Sequence, residues 1–160
     1  GYQDTSECEE PSLCDEGYTE IDGECYYQSD LDVLQDFIDM NESLSGFEPL
    51  EIGFQEWTEG RLERLYLNQN QLTTIPESIG NLSSLEKLYL NDNQLITLSE
   101  NIGDLSSLEQ LYLNENQLTT LPESICNLPS NCYIYLSNNQ LCEEYHYDCI
   151  DNWGEQDCDD

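Results

Sequence analysis

The chain is almost without positive charge. It has three Lys and Arg residues against 35 Asp and Glu residues among its 160 positions, which gives a formal net charge of −32 at pH 7. A surface of this sign repels phosphate, so the sequence argues against nucleic acid and anionic membranes as partners, while a basic partner or divalent cations would fit it better. No apolar run approaches the roughly 20 residues that a membrane-spanning helix needs.

Residue patterns for catalysis are also missing. The single histidine, His146, lies in a cysteine-rich region, so neither a Ser-His-Asp nor a Cys-His arrangement is supported, because a nucleophile needs an adjacent base. No glycine-rich phosphate loop is present. Calcium is conceivable at the carboxylate-rich ends, but no segment has the EF-hand loop pattern, and Asp157 to Asp160 is interpreted as a solvated tail. We therefore expect no enzymatic activity, no cofactor and no metal site.

What the sequence does contain is one 23-residue pattern in three copies. The first copy reads Leu62-x-x-Leu65-x-Leu67-x-x-Asn70-x-Leu72-x-x-Ile75-Pro76-x-x-Ile79-x-x-Leu82, and the next two begin at Leu85 and Leu108. Self-similarity at this period indicates a solenoid in which each copy forms one layer of a stack.

Each copy predicts the same local structure. The alternation of Leu65-Tyr66-Leu67 is typical of a short strand with one buried face. The Asn that follows can satisfy backbone groups in a buried turn. The apolar spacing from Ile75 to Leu82 predicts a short helical or 3₁₀ segment on the convex side. The repeats predict an internal ladder of Asn70, Asn93, Asn116 and Asn139.

These residues resemble the leucine-rich repeat of typical length, and the Ile-Gly-Asn-Leu ending is similar to the variant common in bacterial surface proteins and in the Ras-group family. The resemblance covers roughly residues 50 to 141, because Ser130 to Leu141 supplies a fourth strand and Leu50 to Ile52 begins a degenerate first unit. It implies an α/β solenoid with a parallel concave sheet and short convex helical or 3₁₀ segments. Ser99, where the other copies carry Pro76 and Pro122, departs from the pattern with little consequence.

The chain divides into four parts on this interpretation. A solenoid needs caps at both ends, because its terminal layers cannot otherwise bury their apolar faces. The parts are a cysteine-rich N-terminal segment (1–28), a capping helix with a degenerate first repeat (29–60), the repeats (61–141, as 61–83, 84–106, 107–129 and a partial 130–141) and a cysteine-rich acidic C-terminal cap (142–160).

An amphipathic helix is predicted over residues 30 to 41, with Ser29 or Asp30 as its N-cap. Its apolar residues are Leu31, Leu34, Phe37 and Ile38. We interpret it as a lid on the first repeat. The alternative is a free helix that binds a partner, although a short isolated helix is marginal in water.

Eight cysteines cluster towards the two ends and avoid the first two repeats. With no Cys-x-x-Cys pair, they predict disulfides in an oxidising compartment rather than a zinc site, and hence a secreted or cell-surface protein. The candidate disulfide cysteines are Cys8, Cys14, Cys25, Cys126, Cys132, Cys142, Cys149 and Cys158. Gly1 in place of Met agrees with removal of a signal peptide or trimming of the chain.

The number of cysteines at each end is odd. Pairing within each end leaves one cysteine over at both, so either a tail folds back to join the ends or they bond elsewhere. The segment Gly1 to Cys8 resembles Gly154 to Cys158, which suggests copies arranged head to tail, joined through Cys8 and Cys158. Coincidence between two short polar segments is the other interpretation.

Side chains between the buried strand leucines should lie on the concave face. A tyrosine column with amides and cations beside it suits recognition of peptide or glycan, whereas the alternative is a ladder that only stabilises the sheet. The candidate binding residues are Tyr66, Tyr89, Tyr112, Tyr135, Asn68, Asn91, Asn114, Arg64 and Lys87. Two sequons, at Asn41 and Asn81, are candidate N-glycosylation sites.

The sequence thus predicts an extracellular, non-enzymatic binding module that recognises a protein, peptide or glycan through its concave Tyr/Asn face. The competing prediction is a structural subunit of an extracellular fibre or surface layer, assembled head to tail through its caps. The assignment of function rests partly on the family resemblance.

Overall fold

The computed structural model describes residues 13–159. A β-hairpin comes first, in which β1 (Tyr18–Ile21) and β2 (Glu24–Tyr27) pair antiparallel. Asp22 and Gly23 connect them with positive φ angles, the conformation that a tight two-residue hairpin turn requires. A disulfide between Cys14 and Cys25 ties the preceding loop to β2.

The hairpin leads directly into helix α1 (Gln28–Met40), whose buried face includes Leu34 and Phe37. The helix packs on the first repeat, where Ser78 donates a hydrogen bond of 2.6 Å to Asp36. The predicted N-cap is wrong. The helix starts after Tyr27 without a side-chain cap, and Asp30 lies inside the first turn. Tyr27, the last residue of β2, occupies the N-cap position instead.

The main sheet has five strands in chain order, and its last four strands are parallel. Their register advances by 23 residues per strand, so Leu65, Leu88 and Leu111 are direct neighbours. The strands are β3 (Phe54–Thr58), β4 (Arg61–Tyr66), β5 (Lys87–Tyr89), β6 (Gln110–Tyr112) and β7 (Tyr133–Tyr135).

The first edge of this sheet differs from the expectation of a degenerate parallel unit at Leu50 to Ile52. Residues Pro49–Glu51 form a 3₁₀ turn instead, and β3 runs antiparallel to β4. Glu59 and Gly60, both at positive φ, make the tight turn that reverses the chain. The stack therefore begins with a hairpin whose second strand is the strand of the first repeat.

The convex side consists of short 3₁₀ segments, at Glu77–Asn81, Glu100–Asp104 and Glu123–Asn127 in the three repeats. Shorter 3₁₀ turns occur at Glu42–Leu44 and Glu143–Tyr145. Successive layers approach closely: a Cβ atom added to Gly103 would lie 2.2 Å from the carbonyl oxygen of Ser124. The glycine of the Ile-Gly motif is thus required by the distance between layers.

The core is one continuous column of repeat leucines and isoleucines, nearly all without exposure to solvent. Phe37 of α1 closes it at the first layer and Ile150 at the last. The observed fold agrees with the prediction, because the layers bury the hydrophobic positions of the 23-residue pattern.

The asparagine ladder runs inside the turn after each strand. Asn93 Oδ1 accepts hydrogen bonds from the backbone N–H groups of Asn70 (3.0 Å) and Leu72 (2.9 Å), and its Nδ2 donates to the carbonyls of Leu67 and Leu90, both at 3.0 Å. Asn116 and Asn139 likewise each donate to one carbonyl of the preceding layer and one of their own layer. Each rung therefore joins two layers.

Both ends of the ladder are completed by residues outside the repeat pattern. Asn70 is only half-buried, and within residues 13–159 its Nδ2 donates only to the carbonyl of Asn68. Beside it, Asn41 Oδ1 accepts from the N–H of Thr73 at 2.8 Å. At the other end Gln156 Nε2 donates to the carbonyl of Leu136 at 2.7 Å. The caps continue the internal hydrogen bonding of the repeats.

The C-terminal cap adds a further pass of chain along β7. Isolated parallel bridges join Tyr135 to Asn152 and Asn139 to Gln156. One disulfide joins Cys126 of the third repeat to Cys149 of this segment, and another joins Cys142, directly after the last repeat, to Cys158. The edge of the sheet is thereby covered.

Candidate binding face

The strict register of the parallel strands places one tyrosine in each layer. The ring centroids of Tyr89 and Tyr112 lie 4.1 Å apart with an interplanar angle of 4°. The ring centroid of Tyr66 lies 4.5 Å from that of Tyr89 with the rings tilted by 57°, and the centroid of Tyr135 lies 4.4 Å from that of Tyr112 in an edge-to-face contact at 66°. The predicted column thus exists as a continuous row of contacting rings across four layers.

Two further aromatic rings contact the end rings of this column, Phe54 as its continuation on β3 and Tyr133 beside it on β7. Phe54 of β3 stacks on Tyr66 at 5.7 Å, and Tyr133 stacks on Tyr135 at the same distance. Phe54 is 59% exposed and Tyr133 is 55% exposed, whereas the four column tyrosines are half-buried. Sequence reasoning missed Phe54 because its place depends on the antiparallel direction of β3, for which the repeat pattern gives no signal.

The tyrosine hydroxyls form polar contacts within the row. Tyr89 Oη donates a hydrogen bond of 2.7 Å to Gln110 Oε1. The pKa of Tyr112 is raised above its usual value, mainly by desolvation and then by the neighbouring Tyr89 hydroxyl. The pKa of Tyr135 is also raised, mainly by desolvation and then by the neighbouring Tyr112. These hydroxyls therefore stay neutral at physiological pH and can both donate and accept hydrogen bonds.

The amide row beside the column contains an acceptor without a partner. Asn91 Nδ2 donates to Asp92 Oδ2 at 2.6 Å, but Asn91 Oδ1 is buried and has no hydrogen-bond partner, alone among the buried side-chain N and O atoms of residues 13–159. Asn68 and Asn114 hold the corresponding positions in the layers on either side. Because this oxygen is buried, the part of the Asn91 amide open to a ligand is the Nδ2 side, which bonds to the exposed Asp92.

The two cations of the face differ in their surroundings. Arg64 Nη1 lies 3.2 Å from Glu56 Oε2, and this carboxylate raises the pKa of Arg64 further. Lys87 is the neighbour of Arg64 in register and has no ion pair or hydrogen bond to any side chain in the part of the chain that the structure describes. Lys87 is thus an unpaired cation in a strongly acidic protein.

Acidic residues border the face along one side. Glu63, Glu86 and Glu109 occupy the same position in successive layers, where the backbone N–H of each later glutamate donates to the carbonyl of the one before at 2.7 Å. The pKa of Glu86 is raised, mainly by partial desolvation and then by repulsion from the carboxylates of Glu63 and Glu109. In the fourth layer this position is Cys132, a half-buried thiol whose pKa is raised by desolvation to about 11.

Six of the eight candidate disulfide cysteines are paired, in the three disulfides given above. Cys132 has no disulfide partner among the described residues, and Cys8 lies outside them, so disulfide formation by these two stays a prediction. The head-to-tail link between Cys8 and Cys158 is wrong as proposed, because Cys158 is bonded to Cys142 within the same chain.

The two sequons have opposite environments. Asn41 is 1% exposed, and its Nδ2, the atom that a glycan would modify, donates to the carbonyls of Phe37 and Thr74. The prediction of a glycan at Asn41 is therefore corrected, since the folded protein has no room for one there. Asn81 is exposed at the end of a convex 3₁₀ segment, and its modification stays a prediction.

Metal sites and membrane-spanning helices are absent from the described part of the chain. Within 13–159, no group of three or more His, Cys, Asp or Glu residues is arranged to hold a metal ion. No helix in the same range has the length and apolar character needed to cross a bilayer.

Comparison with known proteins identifies the repeat. A family profile for the leucine-rich repeat matches residues 55–95 and 98–141, which is more than half of the chain. The solved ectodomain of the receptor kinase SOBIR1 from Arabidopsis thaliana is 29% identical with a TM-score of 0.58, and the match covers 72% of this chain and 70% of that one. A search of curated proteins gave no match.

Two bacterial structures match over shorter stretches. A leucine-rich-repeat protein from Leptospira interrogans is 41% identical with a TM-score of 0.48, and the match covers 50% of this chain. An internalin from Listeria monocytogenes is 30% identical with a TM-score of 0.47, and the match covers 52%. The chain spans only 20% of the Leptospira protein and 24% of the internalin.

Proposed function

Because the chain belongs to the leucine-rich-repeat family, we propose that it is a non-enzymatic extracellular binding module whose concave face recognises a protein, peptide or glycan. The family match and the likeness to a receptor kinase ectodomain support a binding role outside the cell. The three disulfides support the same location, since disulfides persist in oxidising compartments.

The observation that carries the proposal is the aromatic row from Phe54 to Tyr135, with Tyr133 beside it. A row that only stabilised the sheet would gain about 0.2–1 kcal/mol for each ring pair. Such a role does not account for Phe54 and Tyr133, whose rings stay more than half exposed. Contiguous exposed apolar surface on a soluble protein is typical of interaction sites.

The hydrogen-bonding groups beside the row support recognition of a polar ligand. The amide of Asn91, whose Nδ2 bonds to Asp92 at 2.6 Å, and the hydroxyl of Tyr112 lie within one layer of each other along the sheet. An aromatic surface with adjacent amides and hydroxyls binds through apolar contact and directional hydrogen bonds together.

The proposal is tested by screening the protein against peptide and glycan arrays and repeating the screen with Tyr112→Ala. We expect the variant to lose the ligands that the parent protein captures. Phe47→Ala is the matched control, because Phe47 is an exposed aromatic residue outside the sheet. Circular dichroism and urea unfolding establish that both variants are folded. Undiminished capture by folded Tyr112→Ala would show that the concave face is not the binding site.

A further inference from the structure

The faces of the column rings are occupied by one another. Tyr89 and Tyr112 are parallel at 4.1 Å, and Tyr66 and Tyr135 close the column on either side. A pyranose ring that stacks on tyrosine needs an open ring face. The middle of the row presents ring edges and hydroxyls instead, and the most exposed rings are those of Phe54 and Tyr133. This arrangement favours a chain with separate apolar side chains over a sugar.

Lys87 supplies the charge preference. Of the three cations in the chain, Arg61 is paired with Asp30 and Arg64 with Glu56, whereas Lys87 has no carboxylate partner within residues 13–159. It neighbours Arg64 and Gln110 in register, in the row next to the tyrosines. A lone ammonium beside an aromatic row is a site for one anionic group of a ligand.

The spacing of these groups matches an extended peptide. Lys87 lies on β5, which is two strands from Phe54 on β3 and two strands from Tyr133 on β7. Two strand spacings of about 4.8 Å make about 10 Å. A chain in the extended polyproline II conformation covers this distance in three residues at about 3.1 Å per residue, and its three residues per turn place every third side chain on the same face.

We propose that the concave face binds an extended peptide segment with the pattern apolar-x-x-acidic-x-x-apolar, in which the carboxylate contacts Lys87 and the apolar side chains contact Phe54 and Tyr133. This inference rests on the proposed function and specifies its ligand. The glutamate row of Glu63, Glu86 and Glu109 borders the same face and repels further anions. The ligand therefore carries one carboxylate at this position and not an acidic cluster.

The test uses synthetic peptides of defined sequence. The probe is acetyl-Phe-Ser-Ser-Glu-Ser-Ser-Phe-amide, measured by fluorescence anisotropy with a dye on an added linker. One comparison peptide has Gln in place of Glu, and another has Glu at the three central positions. A third, acetyl-Phe-Ser-Ser-Gly with a free C-terminus, supplies the carboxylate from the chain end. Because the third peptide also lacks the second Phe, it is compared with acetyl-Phe-Ser-Ser-Gly-amide, which differs from it only in the terminal carboxylate.

We expect the Glu peptide to bind about threefold to fivefold more tightly than the Gln peptide, which is the size expected for a partly exposed ion pair. Lys87→Gln should abolish that difference, and Lys87→Arg should retain most of it. The triple-Glu peptide should bind more weakly than the single-Glu peptide. Gln94→Glu is the matched control, because it makes the same change in net charge at an exposed position of the same repeat outside the strand.

The inference is overturned if the Glu and Gln peptides bind equally, if Lys87→Gln leaves their difference intact, or if no peptide of this pattern binds. The proposed function is judged separately by the array screen. Ligand capture that depends on Tyr112 but not on Lys87 would leave the concave face as the binding site and remove the carboxylate requirement. Equal binding by the Gln94→Glu control and the parent protein excludes a general effect of net charge.

Discussion

The carboxylate of Asp30 is fully buried at the junction of cap and repeats, where it accepts hydrogen bonds from Arg61 Nε at 2.9 Å and from the backbone N–H of Leu62 at 3.0 Å. The Arg61 guanidinium also lies 4.2 Å from the centre of the Tyr27 ring. One side chain of the helix thus fixes the first turn of α1, the hairpin and the start of β4 relative to one another.

Asp30→Ala should lower the free energy of unfolding by about 2–4 kcal/mol, because it leaves a partly buried guanidinium and a buried backbone N–H without their acceptor. Urea unfolding followed by circular dichroism measures this change. Asp32→Ala, an exposed aspartate of the same helix, is the control and should change stability by less than about 0.5 kcal/mol. Equal effects of the two substitutions would contradict the structural role of Asp30.

The rungs of the asparagine ladder should contribute unequally. Asn93→Ala leaves two backbone N–H groups and two carbonyls without their side-chain partner, so we expect a loss of about 2–4 kcal/mol in the free energy of unfolding. Asn70→Ala removes one side-chain hydrogen bond at a half-buried position and should cost less than about 1 kcal/mol. Urea unfolding of both variants gives the comparison. Similar losses would show that position in the stack does not govern the contribution of a rung.

Cys132 should react slowly while the protein is folded. Burial raises the pKa of its thiol from 9.0 to about 11, so little thiolate is present at pH 9. In a Cys8→Ser variant, alkylation of Cys132 by iodoacetamide at pH 9 should be at least about tenfold slower than in protein unfolded by urea without reductant. Peptide mass spectrometry identifies the labelled residue.

The same shift has a defined effect on stability. The thiol of Cys132 loses its proton near pH 9 in the unfolded chain and only near pH 11 in the folded protein. Its contribution to the free energy of unfolding is therefore fully present below pH 9 and is lost as the pH rises through 11. Because the side chain is only half-buried, this contribution is small. Rapid alkylation in the folded state would show that the thiol is more accessible than its burial indicates.

Expression in a eukaryotic secretory pathway should add a glycan at Asn81 and none at Asn41. Asn81 is exposed, whereas both donors of the Asn41 amide are bonded to backbone carbonyls inside the protein. Treatment with an N-glycosidase followed by mass measurement of wild type, Asn81→Gln and Ser43→Ala checks this. A mass shift that survives Asn81→Gln but not Ser43→Ala would place the glycan on Asn41 instead.

The regular part of the fold could be predicted from the sequence because each of its layers repeats the same solution. The 23-residue spacing predicts the parallel register, the buried leucines and the column from Tyr66 to Tyr135 without any knowledge of the caps. The prediction succeeds because residue position within the repeat determines which face a side chain occupies.

The ends could not be predicted in the same way, because each occurs once. The direction of β3 depends on a turn at Glu59 and Gly60, and the same change of direction adds Phe54 to the aromatic row. The helix N-cap was misassigned because the role of Asp30 is set by Arg61, a residue 31 positions away. The replacement of the ladder asparagine by Gln156 likewise depends on the path of a tail that follows no repeat.

Gln156 closes the ladder by binding groups that every layer offers. Its Nε2 donates a hydrogen bond to the carbonyl of Leu136, which corresponds to the carbonyls of Leu90 and Leu113 in earlier layers. Asn93 and Asn116 donate to those two carbonyls in their own layers. The cap therefore fits a solenoid with any number of repeats, so repeats can be added or removed as whole units. Duplicating residues 84–106 in frame should give a protein about 4.8 Å longer, with one more tyrosine and one more lysine on its face, so that the length of the recognised segment becomes a quantity open to design.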